Sequence, residues 1–243
     1  MRFLFYNIRY ATGGKRLIFP WSGYLKRTTK NLKAIITFIR KVDPDIIGLA
    51  EVDAGSYRSQ KRNQAQLIAS ALNHEHTYKS KYDELSFAHM VPIMNKQGNA
   101  FLTKDTIEDA HFHYFDKGVK RLVIQLEMKR LTVFLVHLAL SYRARHHQLA
   151  DLYSMVKSTK KPHIVAGDFN ARWGDHEIKL FLAATGLTSA GPGGIPTYPS
   201  WAPKRQLDFI LHSPHIRITD FDMPKILLSD HLPLLCDFEI KHS

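Results

Sequence analysis

One cysteine, Cys236, is all the thiol in this chain of 243 residues. An intramolecular disulfide and a cysteine-built zinc site are therefore excluded, and a reducing compartment fits. Long apolar runs are missing too. Met1-Arg2-Phe3-Leu4-Phe5-Tyr6-Asn7 is too short and too soon interrupted for a secretory signal, and no later run approaches membrane-spanning length. The expectation is a soluble, cytoplasmic protein. Internal repeats, linkers and low-complexity stretches are absent, so residues 1–243 read as a single domain near the upper size for one core. Acidic residues are scarce, with 22 Asp+Glu against 34 Lys+Arg for a net +12, and that balance favours a polyanionic or phosphate-bearing partner. The excess is local: residues 1–62 hold 13 Lys/Arg and 4 Asp/Glu, a net +9.

What is present is a series of apolar strands, each ending in polar chemistry. Residues 2–8 read as a buried strand that reaches its polar end at Asn7-Ile8-Arg9. A long loop from Ala11 to Lys26 follows, carrying Phe19-Pro20-Trp21. Leu32, Ile35, Ile36 and Ile39 then recur at helical spacing after Thr28 or Thr29, and Asp43-Pro44 stops that helix. Asp45 to Glu51 is a second apolar strand, and Asn63 to Leu72 a second helix. Strands are expected at Gly98–Leu102, Arg121–Leu126 and Leu131–Val136, the last running into His137. A helix with Leu149, Leu152, Tyr153 and Val156 on one face leads to Pro162–Arg172, an apolar strand ending in Gly167-Asp168-Phe169-Asn170. A helix from Glu177 to Thr185, closed by Gly186, precedes a Pro/Gly-rich loop with Tyr198 and Trp201. Leu207–Leu211 and Leu234–Ile240 are the last expected strands, with Ser229-Asp230-His231 just before the second. Strands and helices mix without strict alternation, which argues for packed sheets with helices outside them.

Asn7, Glu51, His137, Asp168 with Asn170, Asp208, and Asp230 with His231 all suit phosphoryl chemistry. Each also has a plain structural role. Asn7 can cap a turn, Glu51 can be a solvated charge, His137 can be a hydrogen-bonded core histidine, and Asp168 with Asn170 can form an Asx-type turn. Asp208 is harder to dismiss, because a carboxylate inside an apolar strand needs a partner, and His231 can be that partner. An Asp-His pair fixes the imidazole tautomer and raises its basicity.

In this order, Asn7-Ile8-Arg9, Asp45 to Glu51, Gly98 to Leu102, Val136-His137-Leu138, Gly167 to Asn170, Leu207-Asp208-Phe209-Ile210 and Ser229-Asp230-His231 resemble the endonuclease/exonuclease/phosphatase family of metal-dependent phosphoesterases over nearly the whole length. The resemblance implies an α/β fold, a four-layered sandwich of two mixed, mainly antiparallel sheets packed face to face with helices outside. It makes Glu51 the principal metal ligand, with Asn7 and Asp230 close by. Asp168 would activate water, Asn170 would hold a phosphate oxygen, and His231 paired with Asp208 would stabilise the transition state. His137 would lie near the leaving group, with Arg121 a further phosphate contact. Converging carboxylates would call for a hard divalent cation, and oxygen ligands without cysteine favour Mg²⁺ or Mn²⁺.

Substrate is less legible. Abasic-site endonucleases usually carry a lysine two residues after the metal glutamate, whereas Glu51-Val52-Asp53 has an acid there. Inositol 5-phosphatases carry Pro-x-Trp-x-Asp-Arg, and Pro199-Ser200-Trp201-Ala202-Pro203-Lys204-Arg205 lacks the Asp-Arg. The run from Glu51 to Ala65 resembles uncharacterised bacterial members and relatives associated with lipid-anchor processing. Two expectations stand: a nuclease whose basic first quarter grips DNA or RNA while Trp21 or Tyr24 stacks on bases, or a lipid or small-molecule phosphodiesterase whose Trp21 and Trp201 loops touch a membrane surface. Either is expected to be a monomer.

Overall fold

The computed structural model describes residues 1–14, 28–80, 96–118, 120–172, 174 and 176–241. The loop aromatics Phe19, Trp21 and Tyr24 lie outside the described residues. Among the described residues twelve strands form two six-stranded sheets. The strands are β1 (Arg2–Asn7), β2 (Ile46–Asp53), β3 (Glu75–Ser80), β4 (Gln97–Thr103), β5 (Asp109–Tyr114), β6 (Leu122–Glu127), β7 (Thr132–His137), β8 (His163–Asp168), β9 (Thr188–Ser189), β10 (Asp208–His212), β11 (Ile216–Asp222) and β12 (Leu234–Ile240). The first sheet runs β11-β12-β1-β2-β4-β3 and the second β5-β6-β7-β8-β10-β9. Within each sheet one pair is parallel, β1 with β2 and β7 with β8, and the other pairs are antiparallel.

Alternation of side chains builds the layers. From β1, Phe3 and Phe5 point inward to the core they share with Val133 and Leu135 of β7 and Ile164 and Ala166 of β8, while Leu4 and Tyr6 point outward. That outer face is covered by α1 (Thr29–Val42) and α2 (Gln64–Leu72) through Leu32, Ile35, Ile39 and Ile68. Val123, Phe134, Val136 and Val165 form the outer face of the second sheet, under α3 (Tyr142–Ser158) and α4 (His176–Thr185). The order is helices, sheet, sheet, helices. The sheets approach closely at Gly48, where a Cβ would sit 3.2 Å from Leu135 Cδ1.

The helix boundaries follow their caps. Asn63 accepts hydrogen bonds from the Ala65 and Gln66 amides to start α2, and Gly186, at φ +76°, donates its N–H to the Leu182 carbonyl to end α4. Asp43, at φ 50°, closes α1 ahead of Pro44. Tyr153 departs from the expected buried face of α3: Leu149, Leu152 and Val156 are buried, but Tyr153 is exposed. Four strands, β3, β5, β9 and β11, were not expected from the pattern. Among the described residues no helix is long and apolar enough to cross a membrane.

Candidate active site

Because β1 and β2 are parallel, as are β7 and β8, each pair delivers its C-terminal residues to one end of the sandwich. In the first sheet Asn7 lies opposite Ala50, next to Glu51; in the second His137 lies opposite Asp168. Asp208 opens β10 rather than lying within it, and antiparallel pairing puts it directly across from Asp168. Glu51 does not end its strand. It sits in an irregularity where the β2–β4 register shifts between Leu49 and Val52, at φ 54°. Gly167 is required by proximity: a Cβ there would fall 2.0 Å from the Val136 carbonyl oxygen. The Ser229-Asp230-His231 loop is tied to β1 by the Ser229 hydroxyl, which donates to the Asn7 carbonyl at 2.6 Å.

Asp168 is the centre. Its Oδ2 accepts from Asn7 Nδ2 at 3.1 Å and lies 3.3 Å from His137 Nε2 and 3.8 Å from His231 Nε2. Its Oδ1 accepts from the Asn170 amide at 3.0 Å, while Asn170 Nδ2 donates to the Leu138 carbonyl at 2.9 Å. Burial opposes its ionisation, yet His137, His231 and Lys120 hold the carboxyl well below the usual range. His231 Nδ1 meets Asp208 Oδ2 at 2.8 Å, and the Thr197 hydroxyl donates to the same oxygen. The other oxygen of Asp208 is buried with no hydrogen-bond partner among the described residues. Burial disfavours charge on His231, but Asp208, Asp168 and Asp230 outweigh it and raise its pKa to about 10. Tyr198 packs on the imidazole with ring centroids 5.0 Å apart.

His137 goes the other way. Burial and the neighbouring Lys120 lower its pKa to about 4 against the pull of Asp168. Lys120 Nζ contacts His137 Nε2 and lies 3.6 Å from Glu51 Oε1, which is itself 3.9 Å from His137 Nε2. Arg9 Nε pairs with Asp230 Oδ2 at 3.2 Å. Burial pushes the Asp230 carboxyl above its ordinary value; His231 and Arg9 oppose that rise and Glu51 adds to it.

The expected residues thus converge at one end, in two groups. The first sheet and the loop before β12 supply Asn7, Glu51 and Asp230, and the second sheet with the turn after β8 supplies His137, Asp168, Asn170 and Asp208, with His231 between them. Beside Arg121, it is Lys120 whose ammonium reaches Glu51 and His137. Sequence reasoning missed Lys120, Arg9 as a partner of Asp230, and Thr197. Lys120 had only its place at the head of a strand as a signal, and Thr197 had none within its Pro/Gly-rich loop.

A hard cation fits the first group. Its donors are carboxylate and amide oxygens, the only thiol is buried in the core, and Glu51 exerts a like-charge repulsion on the buried Asp230 that a cation would relieve. Asp168, Asp208 and His231 also bring one donor atom each within 4.8 Å of one another, so this buried trio is a second group with the spacing of a metal site.

A family model described as the Endonuclease/Exonuclease/phosphatase family matches residues 4–231. No curated protein matches the sequence. Among solved structures, a functionally unknown conserved protein from Enterococcus faecalis V583 is similar at a TM-score of 0.76 and 15% identity, covering 99% of this chain and 100% of that one. The human Nocturnin catalytic domain with bound sulfate anion is similar at 0.71 and 23% identity, covering 99% and 93%. The mannosyl-6-phosphatase of Bacteroides thetaiotaomicron VPI-5482 is similar at 0.72 and 14% identity, covering 99% and 100%.

Proposed function

The chain belongs to the endonuclease/exonuclease/phosphatase family, whose members are hydrolytic phosphoesterases, and on that premise we propose that it is a divalent-metal-dependent phosphodiester hydrolase acting on nucleic acid. The observation that carries the reading is the buried Asp168 carboxylate, set between His137 at 3.3 Å and a His231 that Asp208 holds at 2.8 Å. Asp168, ionised, orients a water and takes its proton. His231, charged through its pairing with Asp208, stabilises the negative charge that develops on the phosphoryl oxygens. Asn170 keeps one amide hydrogen beyond its bond to Leu138 and offers it to a non-bridging oxygen. His137 faces the leaving group, and because it is neutral above about pH 4 it serves there as a hydrogen-bonding group. Glu51, Asn7 and Asp230 would hold Mg²⁺ or Mn²⁺, which when bound supplies Lewis-acid polarisation of the phosphoryl oxygen and stabilisation of the leaving group.

Net charge of +12 supports the nucleic-acid substrate. The exposed Trp201, in the loop whose Ser200 amide donates to the Asp230 carbonyl, favours the second reading, a lipid or small-molecule phosphodiesterase at a membrane surface. One panel separates them: plasmid DNA, RNA, a phosphocholine lipid, bis-p-nitrophenyl phosphate and a sugar phosphomonoester, each with Mg²⁺ and with chelator. Cleavage of DNA or RNA that is lost with chelator and falls steeply with salt is the expected result. Hydrolysis confined to the lipid or the monoester overturns the nuclease reading, and no metal-dependent hydrolysis of any substrate overturns the enzyme.

A further inference from the structure

Arg9, Tyr10 and Ala11 are three consecutive non-glycine residues at positive φ, 45°, 53° and 57°. Left-handed backbone is unfavourable for residues with a Cβ, and a run of three persists only where the surroundings over-determine it. Tyr10 is held on three sides. Gln64 Nε2 donates to its carbonyl at 2.9 Å, its hydroxyl donates to Gln97 Oε1 at 2.9 Å, and the Arg58 guanidinium lies 4.6 Å from its ring centroid. Arg58 is fixed in turn by the fully buried Asp53, 3.0 Å away. This hub is what the Glu51 to Ala65 run builds.

The strained turn delivers Arg9. Its backbone N–H donates to Asn7 Oδ1 at 3.1 Å and its guanidinium pairs with Asp230 Oδ2 at 3.2 Å, with 23% of the side chain exposed. Asn7 and Asp230 are the donors assigned above to the cation, so Arg9 and a cation compete for one carboxylate. A divalent cation on Asp230 draws off the carboxylate's charge and repels the guanidinium. Freed there, a planar fork of N–H donors sits one side chain away from Asp168, since Asn7 accepts from the Arg9 amide and donates to Asp168, and a phosphoryl group is the anion that matches it.

We propose that Arg9 is a substrate-phosphate ligand, held on Asp230 in the metal-free protein and transferred to the phosphate when a divalent cation binds. The proposal rests on the phosphoesterase reading above. The test is calorimetric titration of the full chain with Mn²⁺ alone, then with diethyl phosphate at saturating Mn²⁺, for wild type, Arg9→Met and Arg9→Lys. Arg9→Met is expected to bind Mn²⁺ about threefold or more tightly than wild type, because Asp230 has lost its competitor, and diethyl phosphate about tenfold more weakly, the scale of one charged hydrogen bond. Arg9→Lys, which keeps the charge without the fork, is expected to fall between them for the phosphate. A purely structural Arg9 gives the opposite pattern, weaker Mn²⁺ binding with unchanged diester affinity, and that result overturns the proposal. Should Arg9→Met fail to fold, wild-type diester affinity in Arg9→Lys overturns it equally. A wild type that binds neither Mn²⁺ nor diester sinks the phosphoesterase reading itself.

Discussion

The two ends of β8 and β10 are equally buried and electrostatically opposite. At one end Asp168 and Asp208 face each other across the ladder with His231 beside them; at the other His163 opens β8 and His212 closes β10. The three histidines are 6–8% exposed. Their partners differ. His231 Nδ1 has the Asp208 carboxylate, whereas the Nδ1 atoms of His163 and His212 have the backbone carbonyls of Lys161 at 2.8 Å and Ser213 at 3.0 Å. Burial disfavours charge on all three. Only His231 has carboxylates to overturn it, so its pKa rises to about 10 while burial lowers those of His163 and His212. Depth alone therefore does not make a histidine reactive; the partner does.

Breaking the charged end should have the largest effect. Asp168→Asn or His231→Ala should lower turnover on whichever phosphoester proves to be cleaved by at least roughly a hundredfold, the scale of general-base and electrostatic contributions. His163→Gln should leave turnover within about twofold, a neutral-for-neutral change away from the chemistry. Equal losses at both ends would erase the distinction.

Stability sharpens the contrast next. Since the folded pKa of His231 lies above its unfolded value of 6.5, the stabilisation it brings is complete below that pH and is lost as pH climbs towards about 10. For His163 and His212 the folded pKa lies below 6.5, so their contribution is present above that pH and is lost as pH falls through the folded value. Urea denaturation with chelator should show an alkaline decline, on the order of a few kcal/mol, that His231→Gln removes. It should also show a smaller acid decline that the His163→Gln, His212→Gln pair removes. An alkaline decline that survives in His231→Gln would place its origin elsewhere.

A modest expected effect on chemistry accompanies a large one on folding. Arg58→Met leaves the buried Asp53 without its counter-charge while the Gly55 and Ser56 amides and the Ser59 hydroxyl still donate to it, which costs about 3 kcal/mol. If the hub acts only through positioning, the folded fraction should keep its diester affinity within an order of magnitude, a smaller change than Asp168→Asn brings to turnover.

The central strands were legible because they are buried on both faces and read as unbroken apolar runs. The four unexpected strands, β3, β5, β9 and β11, are the four sheet edges. In β3, Glu75-His76-Thr77-Tyr78-Lys79-Ser80, polar residues blur the period, whereas in β5 Ala110, Phe112 and Tyr114 alternate with Asp109, His111 and His113, a period of two that the sequence does carry. The site was legible wherever a polar residue interrupted an apolar run, which found Asp168, Asp208 and His137. It was not legible where the contact depends on a side chain folding back, as Lys120 does onto His137. Asp53 shows the limit of reading a position by motif. Its acid looked like a departure in substrate specificity, and the structure makes it the buried partner of Arg58.

Asn7 and Glu51 ride on one sheet, Asp168 and Asp208 on the other, and their side chains meet across the mouth of the sandwich, with Asn7 Nδ2 3.1 Å from Asp168 Oδ2. The chemistry is therefore gauged by core packing far below it. At Gly48 that gauge has almost no slack, since even a methyl group would meet Leu135 at 3.2 Å. Gly48→Ala should thus act as a shim between the plates, spreading the two halves of the site by a few tenths of an ångström, so that on warming the variant loses activity at a temperature where the fold is still intact.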